Sequence, residues 1–172
     1  MLTAQELNAT CPYADPMDLK RVGWHVKATE PDSVVMLGAG PGVFALAVLE
    51  NYYPKHFIVI DHDTVEWVAA HLQAVGLLEE VIFIKADSTE YAALSHAVDF
   101  LIIDADHTYE GVKRDVEAWW PKVKTGGYVY FHDYIPLEEN NGVKQAIEEL
   151  QDETWEAVEQ IGWGILFRKM DI

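Results

Sequence analysis

The chain is poor in cysteine, in positive charge and in long apolar runs, and each shortage excludes a class of protein. Among 172 residues there is one cysteine, Cys11, so no intrachain disulfide can form. Lys and Arg number 12 against 29 Asp and Glu, a formal net charge of −17, with no basic cluster anywhere in the chain. Nucleic-acid binding runs largely on Lys and Arg neutralising phosphates, and anionic lipid surfaces attract the same residues. Neither DNA, RNA nor a membrane is an expected partner. No apolar run approaches the roughly 20 residues that span a bilayer. The start, Met1-Leu2-Thr3-Ala4-Gln5-Glu6, has neither the basic region nor the apolar core of a signal peptide. A soluble, cytoplasmic protein is the expectation.

What is abundant is core-forming material. Half of the residues are hydrophobic and 12% are aromatic, enough for one domain over residues 1–172, with residues 1–30 as an N-terminal helical segment. Strand-like runs at Ser33–Leu37, Phe57–Ile60, Val81–Ala86, Phe100–Asp104 and Tyr128–Phe131 alternate with helical stretches. The helices are expected near Val43–Tyr52, Thr64–Ala74, Thr89–His96, Tyr109–Trp120 and Gly142–Leu150, after an early one at Pro16–Ala28. Nearly continuous Val, Ile and Phe runs mark parallel strands covered on both faces. Glu156–Ile161 and Ile165–Lys169 are separated only by Gly162-Trp163-Gly164, which predicts an antiparallel hairpin. The expected fold is α/β, a Rossmann-like, mostly parallel seven-stranded sheet with that hairpin at the C-terminus.

The first strand runs into glycines and then a helix: Val34-Val35-Met36-Leu37-Gly38-Ala39-Gly40-Pro41-Gly42. Such a turn brings backbone N–H groups close to a nucleotide-like ligand, although a tight turn without a ligand has the same composition. A dinucleotide fingerprint would place its third glycine at Val43, whereas here it falls one residue earlier, at Gly42. The resulting G-x-G-x-G resembles the first motif of class I S-adenosylmethionine (SAM) dependent methyltransferases.

Ligands of an open parallel sheet bind beyond the carboxyl ends of its strands. Those ends read Gly38-Ala39-Gly40, Asp61, Asp87-Ser88, Asp104-Ala105-Asp106-His107 and His132-Asp133, so four of five carry a carboxylate. One such Asp is an ordinary helix cap. Four on one rim repel one another unless cations or hydrogen-bond donors lie among them.

Ile103-Asp104-Ala105-Asp106-His107-Thr108-Tyr109-Glu110-Gly111-Val112-Lys113-Arg114-Asp115, continuing through Trp119-Trp120-Pro121 and Gly126 to Tyr134, is more specific than the glycine loop. With Gly142-Val143-Lys144 it resembles the metal-assisted O-methyltransferase branch of the class I family, which acts on sugars, macrolides and catechol-like hydroxyls. The resemblance implies a SAM site built from Leu37, Gly38, Ala39, Gly40, Gly42, Asp61, His62, Asp87, Ser88 and Asp104. Asp61, nineteen residues after Gly42, would accept from the two ribose hydroxyls, and a carboxylate has the acceptors for two adjacent donors. Asp87 would take the adenine amino group beside the Ser88 backbone. Asp104 and Asp133 would hold Mg²⁺, with His132 as a third ligand better suited to Mn²⁺. His107, three residues after the first metal acid, would be the base that deprotonates the acceptor hydroxyl.

The residue two before the first glycine is usually acidic in this family and is Met36 here, which bears on how firmly SAM is held. Two alternatives stay open: a non-catalytic SAM- or nucleotide-binding module, and an aminopropyl transferase on the same fold. His25, His71 and His96 read as solvated surface residues. The segment Cys11–Pro16 and the loop Tyr134–Asn141 are the candidates for acceptor specificity, and aromatic-rich surfaces allow a homodimer.

Overall fold

The structure is a computed structural model, described here for residues 2–93, 95–135 and 142–171. Seven strands form one sheet: β1 (Ser33–Leu37), β2 (His56–Asp61), β3 (Ile82–Lys85), β4 (Val98–Ile103), β5 (Val123–Phe131), β6 (Trp155–Ile161) and β7 (Gly164–Lys169). Their order is β3-β2-β1-β4-β5-β7-β6. The first five are parallel, and β7 pairs antiparallel with both β5 and β6. The helices are α1 (Ala4–Thr10), α2 (Pro16–Thr29), α3 (Val43–Leu49), α4 (Val65–Ala74), α5 (Ser88–Ala92), α6 (Tyr109–Trp119) and α7 (Val143–Leu150).

Successive strand residues point to opposite faces, so alternate positions feed two cores. Val34 and Met36 of β1, with Phe57, Val59, Phe100 and Ile102, pack under α1, α2, α3 and α4. Val35 and Leu37, with Leu101, Ile103, Val129 and Phe131, pack under α5, α6 and α7. That double covering explains the unbroken apolar runs. It also places Met36 in packing, 1% exposed, rather than in a polar site.

The sequence reading holds for order and type of elements and errs at edges. The strand ending at Phe131 begins at Val123, because Val123 already pairs with Val98; Lys124–Gly127 bulge out before pairing resumes at Phe100 and Tyr128, with Gly126 at φ +81°. The fifth helix is short, Ser88–Ala92. The additional α1 is set by a capping box in which Thr3 and Glu6 bond each other's backbone. His25 is not a solvated residue: it shares the inner stripe of α2 with Val22 and Val26, and its Nε2 lies 2.8 Å from Glu159 Oε2. His71 is half-buried with Nδ1 on the Pro41 carbonyl, and His96 is exposed as expected.

Candidate active site

Hydrogen bonds of the sheet continue past the strand ends and fix the rim. Gly38 N–H donates to the Ile60 carbonyl at 2.9 Å, Asp104 N–H to Leu37 at 2.9 Å, and His132 N–H to Ile103 at 3.0 Å. The glycine loop therefore lies against the Asp104 loop. Gly38 has φ +79°, and a Cβ there would strike the Asp104 carbonyl, so the close approach of two backbones excludes any side chain.

Beside this loop opens a cavity of about 540 Å³. Its wall contains Gly38, Gly40, Asp61, His62, Asp87, Ser88 and Asp104 from the residues expected for the cofactor. Leu37, Ala39 and Gly42 do not line it; Leu37 and Ala39 are buried, and Gly42 starts α3 in a left-handed conformation. Ala39 contributes through its N–H, which donates to Asp61 Oδ2 at 2.8 Å. Asp61 also accepts from Asp63 N–H, Thr64 N–H and the Thr64 hydroxyl. Burial would raise its pKa, but these donors outweigh burial and hold it below the usual carboxylate range. Asp87 is exposed and caps α5, accepting from Thr89. His62 is exposed and lies 3.1 Å from Asp63.

Asp104, His107 and Asp133 converge at the neighbouring strand ends, each offering one ligand atom within 4.8 Å of the others. His107 Nε2 is 3.2 Å from Asp133 Oδ2 and 3.6 Å from Asp104 Oδ1. The His107 loop is tied down by its carbonyl, which accepts from Gly142 N–H at 2.8 Å. Asp133 has φ +53°, a left-handed conformation that non-glycine residues adopt at a cost of about 1–3 kcal/mol and that concentrates at functional sites.

His132 is placed differently from His107. It is 3% exposed, and its Nδ1 faces both Asp133 Oδ2 (2.9 Å) and Asp104 Oδ1 (3.0 Å). Its Nε2 lies 3.7 Å from Asp18 Oδ2. Burial alone would lower its pKa, but the carboxylates around it push it up to about 12. Asp104 is fully buried; burial would raise its pKa, and the charge of His132, then His107, holds it low. The pair at 3.0 Å is not aligned as a hydrogen bond, and both Asp104 oxygens lack a donor among the described residues. A buried carboxylate without donors is costly unless a cation shares it. The Asp104 and Asp133 carboxylates are oxygen donors suited to a hard dication, with His107 beside them.

The family model described as a methyltransferase domain matches residues 35–134, from β1 through this cluster. The chain belongs to this methyltransferase family. A 32% identity over 72 residues links the methyltransferase to an uncharacterized protein of Acanthamoeba polyphaga mimivirus; the match takes 42% of this chain and spans only 30% of that relative's length. An O-methyltransferase from Bacillus cereus solved with S-adenosylhomocysteine (SAH) is 11% identical, with TM-score 0.77 over 96% of this chain and 89% of that one. A SAH-bound Podospora anserina methyltransferase is 13% identical, with TM-score 0.78 over 98% and 86%. At such identities the likeness concerns the fold.

Three further residues of the methyltransferase stand at the site without having been singled out. Asp18, 0% exposed, sits on the inner stripe of α2 and accepts from the Tyr130 hydroxyl at 2.8 Å. Asp115 lines the cavity from the inner stripe of α6, between Val112 and Val116, and accepts from the Ser88 hydroxyl. An acid in an apolar helical stripe is the signal that finds both. Tyr13 also lines the cavity; it belongs to the Cys11–Pro16 segment expected to bear on acceptor specificity, but is not picked out within it by sequence.

Proposed function

We propose that the protein is a SAM-dependent O-methyltransferase that uses a divalent cation, Mg²⁺ or Mn²⁺, and acts on a small hydroxylated acceptor such as a sugar, macrolide or catechol-like compound. The observation that carries this reading is the Asp104/His107/Asp133 cluster, its two carboxylates buried, next to the glycine-loop cavity. SAM would supply an electrophilic methyl group on a sulfonium. The acidic wall, Asp61, Asp87, Asp104, Asp106 and Asp115 against Arg114, favours a cationic donor electrostatically.

In this reading Asp61 receives the ribose diol. Its oxygens already have four protein donors, and the Thr64 hydroxyl is the one that can rotate away. Asp87 and Ser88 bound the purine end of the cavity. Asp104 and Asp133 would hold the cation beside the acceptor. The cation would lower the pKa of an acceptor hydroxyl, as it does for bound water. His107, 38% exposed in its side chain and beside both carboxylates, takes the hydroxyl proton at Nε2. His132 keeps the two carboxylates in place, because its Nδ1 faces both of them.

The test is a pair of titrations by calorimetry and one activity assay. SAM and SAH should bind and NAD should not. EDTA should abolish methyl transfer to catechol-like and sugar acceptors while SAH binding persists. Tight NAD binding, or full turnover in EDTA with an Asp133→Ala variant, would overturn the reading.

A further inference from the structure

Tyr13 reaches the cavity from outside the parallel-strand rim, in the turn between α1 and α2. The turn is clamped by Asn8, which is buried: its Oδ1 accepts from Tyr13 N–H at 2.8 Å and Ala14 N–H at 3.0 Å, and its Nδ2 donates to the Ala14 carbonyl at 2.7 Å. The ring is laid over the glycine loop. Gly40 has φ +45°, and a Cβ built there would come within 2.5 Å of Tyr13 Cζ. The aromatic ring fills the space that a side chain at position 40 would occupy.

The ring shares its cavity with Asp61, assigned above to the ribose, and with Asp104, assigned to the acceptor side. A methyl group moving from a ribose-linked sulfur to an acceptor oxygen must cross this cavity, in line and at near-attack distance. Burial and the charges of Asp104, Asp61 and Asp133 push the phenol pKa up, so Tyr13 keeps its proton and is no candidate base. What it offers is an aromatic ring, and such rings attract cations within about 6 Å of their centre.

We propose that Tyr13 is the wall of the sulfonium subsite, where its ring selects the positively charged donor SAM over the neutral product SAH. The inference rests on the methyltransferase reading given above. Discrimination at this point would aid product release, because the same ring loses its attraction once the methyl group has left.

The experiment compares SAM and SAH affinities by calorimetry for wild type, Tyr13→Leu and Tyr13→Phe, without acceptor, and checks each fold by circular dichroism. Tyr13→Leu should weaken SAM by roughly 5- to 30-fold, the range for a partly desolvated cation–π contact, and move SAH by less than about twofold. Tyr13→Phe keeps the ring and should keep the wild-type preference. Equal losses for SAM and SAH in Tyr13→Leu, no loss for either, or a Phe variant behaving like the Leu variant would each overturn the role of the ring. A wild-type protein that binds neither ligand would instead remove the SAM reading, and this inference with it.

Discussion

Asp115 is a carboxyl group folded into an apolar stripe, and replacing it should stabilise the protein in a pH-dependent manner. It is 4% exposed and accepts a hydrogen bond from the Ser88 hydroxyl. Burial, with Asp87 and Asp106 nearby, pushes its pKa up from 3.8 to about 6. The folded state therefore binds a proton that the unfolded chain releases between about pH 4 and 6. Stability from this group is present at low pH and is lost as pH rises through the folded pKa. A shift of about 2 units corresponds to about 3 kcal/mol at pH 8, falling to about 0.5 kcal/mol at pH 4. Asp115→Asn keeps the shape and an oxygen that accepts from Ser88, and removes the charge. It should gain about 1–3 kcal/mol at pH 8, or roughly 3–10 °C in Tm for a chain of this size. Urea unfolding of both proteins at pH 4, 6 and 8 measures the difference, and other titrating groups cancel in it. A difference that is flat with pH, or a less stable Asn variant at pH 8, would refute the buried-charge account.

At the Asp104/His107/Asp133 cluster, the neighbouring Asp104 raises the pKa of His107 against the effect of burial, and Asp133 adds to it. Metal-free His107 should titrate above pH 6.5 by NMR, and a bound dication should lower that value. His107→Ala should cost about 10²–10⁴-fold in single-turnover rate without comparable loss of SAH binding; retention of the wild-type rate and pH profile would remove the base assignment. Asp61→Ala should weaken SAH binding by about 1.5–3 kcal/mol in calorimetry, and Thr64→Val, which removes one of the two donors on Oδ2, should not weaken it. Gly38→Ala forces a Cβ into the Asp104 carbonyl and should lower Tm together with divalent-cation affinity; an unchanged Mn²⁺ titration would show that the two loops are not coupled.

The fold was legible because each β-strand carries its burial on its own residues. Val34 through Leu37 and Phe100 through Ile103 are apolar at every position, which only a doubly covered sheet requires. The hairpin was legible from Gly162 and Gly164 alone. The site was legible where it lies at strand ends, since topology carries Asp61, Asp104, His107 and Asp133 to one edge. It was illegible where long-range packing decides. Nothing local distinguishes His107, whose side chain is 38% exposed, from His132, whose Nδ1 faces the two carboxylates. Tyr13 is closer in sequence to neither strand end, and only the docking of α1 and α2 on α3 brings it over Gly40. The loop expected at Tyr134–Asn141 falls outside the described residues from 136 onward. His25 failed as a surface residue because its stripe on α2 counted for more than its polarity.

The arrangement around His132 explains why a chain with a net charge of −17 can bury so many acids at one point. Three carboxyl groups, Asp18, Asp104 and Asp133, converge on one imidazole. Asp18 comes from α2, Asp104 from the end of β4, and His132 and Asp133 from the end of β5, so this contact ties the N-terminal helices to the sheet. A single imidazolium offsets only part of the charge, and removing one member of such a buried set typically costs several kcal/mol. Asp104 is left with two oxygens that no donor satisfies among the described residues, next to His107 and Asp133. The same deficit that disfavours the bare cluster makes it attractive to a dication, and cation binding to the folded state alone would return that stability by mass action. Stability and cation affinity are thus two readings of one electrostatic imbalance, located at the strand ends beside the glycine-loop cavity.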